Sequence, residues 1–229
     1  MSEEASIHHQ VENPRSADAA NRSRLYALFS EALAYPDSDA ALRLLNGDWW
    51  GEVSDILEQM NGATAESLAN PPHAPYQSVA DLQTGYSALL DVASGAPKLS
   101  LLERRYVDTP EQRLWERLLG FYSHFGLDFS NGYAQEQTDH LLTELSFMHY
   151  LCFLEAGARS GVEDLRRGQR DFLSVHLAPF VKGIVDAFAK VEGFGFFAPI
   201  IDVMAATVAD DLAALEQSEG IGDPVAGEP

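Results

Sequence analysis

Residues 136–156 read EQTDHLLTELSFMHYLCFLEA. Wound at 3.6 residues per turn, this stretch has almost no face without apolar side chains. Leu141, Leu145, Met148 and Cys152 lie along one stripe. Leu142 and Phe153 flank it, and Phe147, Leu151 and Leu154 fill the far side. Asp139, Thr143, Ser146 and the hydroxyl of Tyr150 leave only a narrow polar strip. A helix apolar nearly all round belongs in a protein interior. The reading therefore predicts a central helix against which the others pack.

The flanking chain is punctuated in the same helical idiom. Leu25, Leu28, Phe29 and Leu33 recur at spacings of three and four until Pro36-Asp37-Ser38 stops the pattern and opens the next helix. Short helices follow over 40–45 and 49–60. Asn61–Ser78, with Pro71-Pro72 and Pro75, reads as a long surface loop presenting Tyr76. Helix returns at Val79, and 99–106 is short enough to be helix or extended. Thr109-Pro110-Glu111 predicts a capped helix start. Beyond Ala156, helices are expected over Gly161–His176, from Pro179, and from Phe196 to Leu215. Phe194-Gly195-Phe196-Phe197 reads as core filler, or as one wall of an apolar groove. Strand signals are nearly absent. The fold class expected is all-α: one domain over residues 17–217 with nine to eleven helices around the central one. Residues 1–16 read as a disordered arm and 218–229 as a disordered tail.

Composition narrows the function. The 229 residues are 46% hydrophobic, enough for a real core, and carry a formal charge of −20. That sign disfavours nucleic acid and anionic membrane as partners. The single cysteine, Cys152, sits in an apolar run and cannot form an internal disulfide. No secretory start and no long apolar span is seen, so a cytoplasmic protein off the membrane is expected.

Enzyme signatures are missing: no phosphate loop, no dinucleotide fingerprint, no nucleophile elbow and no paired cysteines for zinc. One polar cluster stands out, Glu136, Asp139, His140, Glu144 and His149. Asp139 is a candidate helix-start acid complementing the macrodipole. His140 and Glu144, four apart, share a face and could form an ion pair or two ligands of a metal. The di-iron bundle spacing Glu-x-x-His is not present. No catalytic residue, metal or cofactor is assigned. A helical enzyme using this Glu/His cluster on a metal stands as the alternative.

The segments RLYALFSEALAYPD, LLERRYVDTPEQRLWERLLGFYSHFGLDFS, EQTDHLLTELSFMHYL and RDFLSVHLAPF resemble the TorD-like family of redox-enzyme maturation chaperones. The likeness spans about Arg22 to Leu215 and is strongest to the subgroup serving type II enzymes of the dimethyl sulfoxide reductase family. It implies an all-helical, non-enzymatic cytoplasmic chaperone. Its partner would be the molybdopterin-containing catalytic subunit, held in its apo form, together with that subunit's twin-arginine leader. The family motif, an acid, then a proline, then Asp-His opening the long helix, maps onto Glu136, Asp139 and His140. Gln137 and Thr138 stand where the proline would be, and Thr138 is expected to cap the helix instead. The resemblance implies that Asp139 and His140 help bind client or leader. With the rest of the polar cluster and the loop, the client-binding set is Glu136, Asp139, His140, Glu144 and Tyr76. A basic, then apolar, leader calls for an acidic surface beside an apolar groove. A monomer or weak homodimer is expected.

Overall fold

The computed structural model describes residues 14–60, 76–90, 97–127 and 138–219. Most of the expected arm and tail, the proline-rich loop before Tyr76, and the connector holding Glu136 lie outside these residues. Among the described residues there are nine α-helical segments and no strand: α1 (Pro14–Leu33), α2 (Ser38–Asn46), α3 (Asp48–Gln59), α4 (Val79–Leu90), α5 (Glu111–His124), α6 (Leu141–Gly157), α7 (Val162–Phe172), α8 (Ala178–Phe188) and α9 (Ala198–Glu219). The all-α expectation stands. Because α7 and α8 run on through a π turn at Leu173–Leu177, the separate rods number eight, slightly under expectation.

That continuity corrects the reading of Pro179 as a fresh helix start. Proline has no N–H and its ring crowds the carbonyl four residues back. The turn before it widens instead: Ala178 N–H bonds to Leu173 O, five residues away. The rod survives, and His176 is turned into the interior. Two further helix starts also differ from expectation. α5 begins at Glu111 after Pro110 with no side-chain cap. The cap of α6 is His140, not Thr138.

Helices α1 and α6 make the most extensive helix–helix contact of the fold. Ser16 Oγ donates to Ala156 O, and Ser23 Oγ lies 2.9 Å from His149 Nδ1. Seven residues forward on α1 thus match seven residues back on α6, so the pair is antiparallel. The buried stripe of α6, Leu141, Leu145, Met148 and Cys152, is fully enclosed. Phe153 differs from expectation: it is 63% exposed. Trp49 of α3 is anchored to this pair by its indole, which donates to Leu28 O at 2.9 Å.

A buried polar knot ties α1, α6, α7 and α9. Arg22 Nη2 meets Glu155 Oε2 at 2.5 Å, and Nη1 meets Asp211 Oδ1 at 2.9 Å and Gln169 Oε1 at 2.6 Å. Tyr26 Oη donates to Asp211 Oδ2 at 2.7 Å. Burial works against the Arg22 charge, but Asp211, Glu155 and Asp18 outweigh it and hold the guanidinium above its ordinary range. Cys152 lies beside this knot, and burial pushes its thiol well up, so it is no thiolate nucleophile.

Residues 97–110, ahead of α5, cross the bundle as a strap. Leu99 N–H bonds to Leu89 O, a 3-10 turn follows at Glu103–Arg105, and Tyr106 lands on Gly183 of α8. A Cβ at Gly183 would lie 2.6 Å from Tyr106 Cβ, against a stem that cannot swing aside. Gly183→Ala is therefore expected to destabilise by about 1–2 kcal/mol, the overpacking strain exceeding the gain in helix propensity of about 1 kcal/mol. A urea midpoint at or above the parent value would contradict this.

Candidate functional site at the start of α6

The turn that opens α6 is built by two distant segments. Leu102 and His140 form an antiparallel bridge. Glu103 N–H donates to Asp139 O at 2.8 Å, and Leu141 N–H to Leu101 O at 2.9 Å. His140 has extended backbone, and its Nδ1 accepts from Leu142 N–H at 3.2 Å. An unprotonated Nδ1 is required for that cap, which leaves Nε2–H as the ring's donor. Burial lowers the His140 pKa, opposed by the Asp139 charge.

Asp139 is fully buried. Its Oδ1 accepts from Arg104 Nη1 at 2.7 Å and from Trp115 Nε1 at 3.3 Å, and its Oδ2 from Arg104 N–H at 3.2 Å. The Arg104 guanidinium also lies over the Trp115 ring, 5.6 Å from its centroid, and reaches Glu111 at 3.4 Å. Asp139 thus carries a charge whose acceptor sites face inward. What this turn offers outward is half-buried His140, with Arg104 and half-buried Trp115 beside it. Arg104 and Trp115 were not singled out from sequence; each is a long-range partner that spacing along one helix cannot reveal.

Glu144 is also fully buried, facing Glu103 rather than His140. Burial first, then the charge of Glu103, raises its carboxyl well above the usual range. Glu103 in turn contacts His176 Nδ1 at 3.1 and 3.2 Å. His149 goes elsewhere, to Ser23. The expected His140–Glu144 pair is therefore not formed, and among the described residues no three His, Cys, Asp or Glu gather to hold a metal.

Tyr76 is half-buried in a separate aromatic cluster, edge-on to Phe196 at 5.4 Å and packed directly over Gly85. It shares no partner with Asp139. Phe196 and Phe197 are core residues. Two open clefts lie on other faces. One, of about 740 Å³, lies where α1, α6 and α7 meet, with Ala20, Phe153, Leu154 and Leu165 in its lining. The other, of about 570 Å³, separates α5 from α7 over Phe121 and Phe125, with Arg117 and Arg167 on its rim. Neither cleft is lined by Asp139 or His140. No described helix is long and apolar enough to cross a membrane.

Residues 52–186 match the family model of the nitrate reductase delta subunit. The match covers more than half of the chain, including the strap, the Asp139–His140 turn and the π turn. The perchlorate reductase assembly chaperone protein of Dechloromonas aromatica (strain RCB) is 30% identical over 194 residues, 80% of this chain and 84% of that one. The selenate reductase assembly chaperone protein of Thauera selenatis is 29% identical over 175 residues, 75% of this chain and 76% of that one. The chlorate reductase assembly chaperone protein of Ideonella dechloratans is 28% identical over 177 residues, again 75% and 76%. On the family match, and on a relative of this identity and coverage, the chain belongs to the nitrate reductase delta subunit family.

Proposed function

We propose that this protein is an assembly chaperone, not an enzyme, for the catalytic subunit of an oxidoreductase. The observation that carries the reading is that three relatives, each matched over three quarters of the chain or more, are assembly chaperones of reductases. The finer reading follows the TorD-like resemblance. The client is the apo, molybdopterin-binding subunit of a type II enzyme of the dimethyl sulfoxide reductase family. It is held in the cytoplasm until its cofactor is inserted, with its twin-arginine leader shielded from early export.

The turn opening α6 supports a binding role with altered residue roles. Asp139 acts from within, fixing Arg104 and the N-cap geometry of His140. Contact with the client then falls to His140, Arg104 and Trp115. The long-range field of a −20 protein attracts a basic leader, although salt screens it beyond about 8 Å at physiological ionic strength. The leader's apolar segment needs an apolar cleft, and the one beside Phe153 has that character.

The test is tagged capture from the native host. The chain should bring down a reductase catalytic subunit lacking its molybdenum cofactor, and a deletion strain should accumulate that subunit inactive. A client that matures normally without this chain would overturn the reading. Sedimentation at micromolar concentration should show a monomer or a weak dimer.

A further inference from the structure

We propose that Glu103, Glu144 and His176 form a buried proton-sharing lock that holds the Asp139–His140 turn in place and slackens when its proton is lost. The consequence for client binding rests on the function proposed above; the lock itself does not.

The three side chains come from three elements: the strap, α6 and the π turn. Each is at most 1% exposed. Neither oxygen of Glu144 accepts a hydrogen bond from any donor, and no cation is paired with it. A buried carboxylate with no partner is strongly disfavoured. The geometry is resolved if Glu144 carries a proton and donates it to Glu103, whose carboxyl it adjoins. Glu103 then accepts from Glu144 on one side and from His176 Nδ1–H on the other. His176 Nε2 is buried without a partner, which favours its bare lone pair over an N–H. The cluster thus carries one negative charge shared over two carboxyls.

The groups around it are accounted for. The strap also brings Arg104, but its guanidinium is engaged with Asp139 and Glu111. α5 contributes the Tyr122 hydroxyl, which donates to Thr138 O at 2.8 Å, and the Phe121 ring, edge-on to His176 at 5.5 Å. The start of α6 contributes Asp139, whose charge further raises the Glu144 pKa, and His140. α7 contributes the Phe172 ring, 5.5 Å from His176. Among the described residues no lysine or arginine is paired with either carboxyl, so losing the shared proton leaves two carboxylates facing each other in an apolar setting.

Glu103 is the lever. Its own N–H holds Asp139 O, and its neighbour Arg104 holds the Asp139 carboxylate. Repulsion between Glu103 and Glu144 therefore pushes the strap off α6 at the residues that shape the turn. The sign is fixed by the direction of the Glu144 shift. A carboxyl raised in the folded state contributes stability that is complete below its unfolded pKa and is lost as pH rises through the folded one. The lock is thus closed below the raised Glu144 pKa and opens as the pH climbs past it.

The Trp115 indole N–H, bonded to Asp139, is a local reporter. The test is the ¹⁵N–¹H signal of that indole in the labelled full-length protein, assigned by loss in Trp115→Phe and followed from about pH 5 to about pH 10. The series is recorded in His140→Ala as well, so that a step persisting there does not belong to His140, whose pKa burial lowers. The wild type should show one step. Glu144→Gln should abolish it, because the amide donates to Glu103 at every pH. Glu103→Gln should move the step to lower pH by removing the like charge, which gives a second reading if Glu144→Gln does not fold. No step in the wild type, or an unchanged step in either variant, would overturn the lock. Client capture measured at neutral pH stays independent: capture without the step rejects the lock alone, and the step without capture rejects the chaperone reading alone.

Discussion

Arg22→Met is expected to lower the free energy of unfolding by about 3–5 kcal/mol, measured by urea denaturation near neutral pH. The loss comes less from the bonds removed than from what remains. Glu155 and Asp211 have side chains only 2% and 3% exposed, and Arg22 is the cation both of them share. Glu155 keeps Arg166 at 2.9 Å and Gln169 Nε2 at 2.8 Å, whereas among the described residues Asp211 keeps only the neutral hydroxyl of Tyr26. A domain of this size has a total stability of about 5–15 kcal/mol, so the variant should be partly unfolded at moderate temperature. Adding Asp211→Asn should recover a substantial part, because a buried neutral amide is far cheaper than a buried unpaired charge. Salt should change little, since the pairs are screened by protein rather than by solvent. A single-variant loss under about 1 kcal/mol would show that the knot is not what joins α1, α6, α7 and α9.

Asp139→Ala should have the second largest effect, and in two quantities at once. Three donors lose their acceptor, Arg104 N–H and Nη1 and the Trp115 indole, so about 2–3 kcal/mol of stability should go. Client capture should fall with it, since Arg104 and the cap are released together. His140→Ala separates the two quantities. Loss of its cap bond to Leu142 costs about 0.5–1 kcal/mol, yet capture should fall markedly if the imidazole meets the client. If His140→Ala captures client like the parent while Asp139→Ala does not, the motif acts only through the fold of the turn. If both capture normally, the α6 turn is not the client surface, and the cleft beside Phe153 becomes the place to probe.

Much of the fold was legible because helices announce themselves locally. The i, i+3 and i+4 spacing of Leu25, Leu28, Phe29 and Leu33, and of Leu141, Leu145, Met148 and Cys152, marked faces that the structure buries. Pro36-Asp37-Ser38 was readable as the break that opens the next helix, and within it the Asp37 side chain accepts from Ala40 N–H at 2.9 Å. Pro179 misled because a proline usually starts or stops a helix, and a widened turn that absorbs one leaves no periodic trace.

The candidate site divides along the same line. The dipeptide Asp139-His140 was visible as a motif, but its meaning depended on partners 35 and 24 residues back in the chain, Arg104 and Trp115. Glu144 looked like a helix-face acid available to His140, and became an internal acid only when the strap and the π turn closed over it. Fold class, helical faces, charge and family could be read from the chain, because these rest on neighbours within one or two turns or on composition. Which ionisable groups are enclosed, and with whom, came only from the packed fold. Burial and pairing are set by segments far apart in the chain, and no local pattern encodes the distance between them.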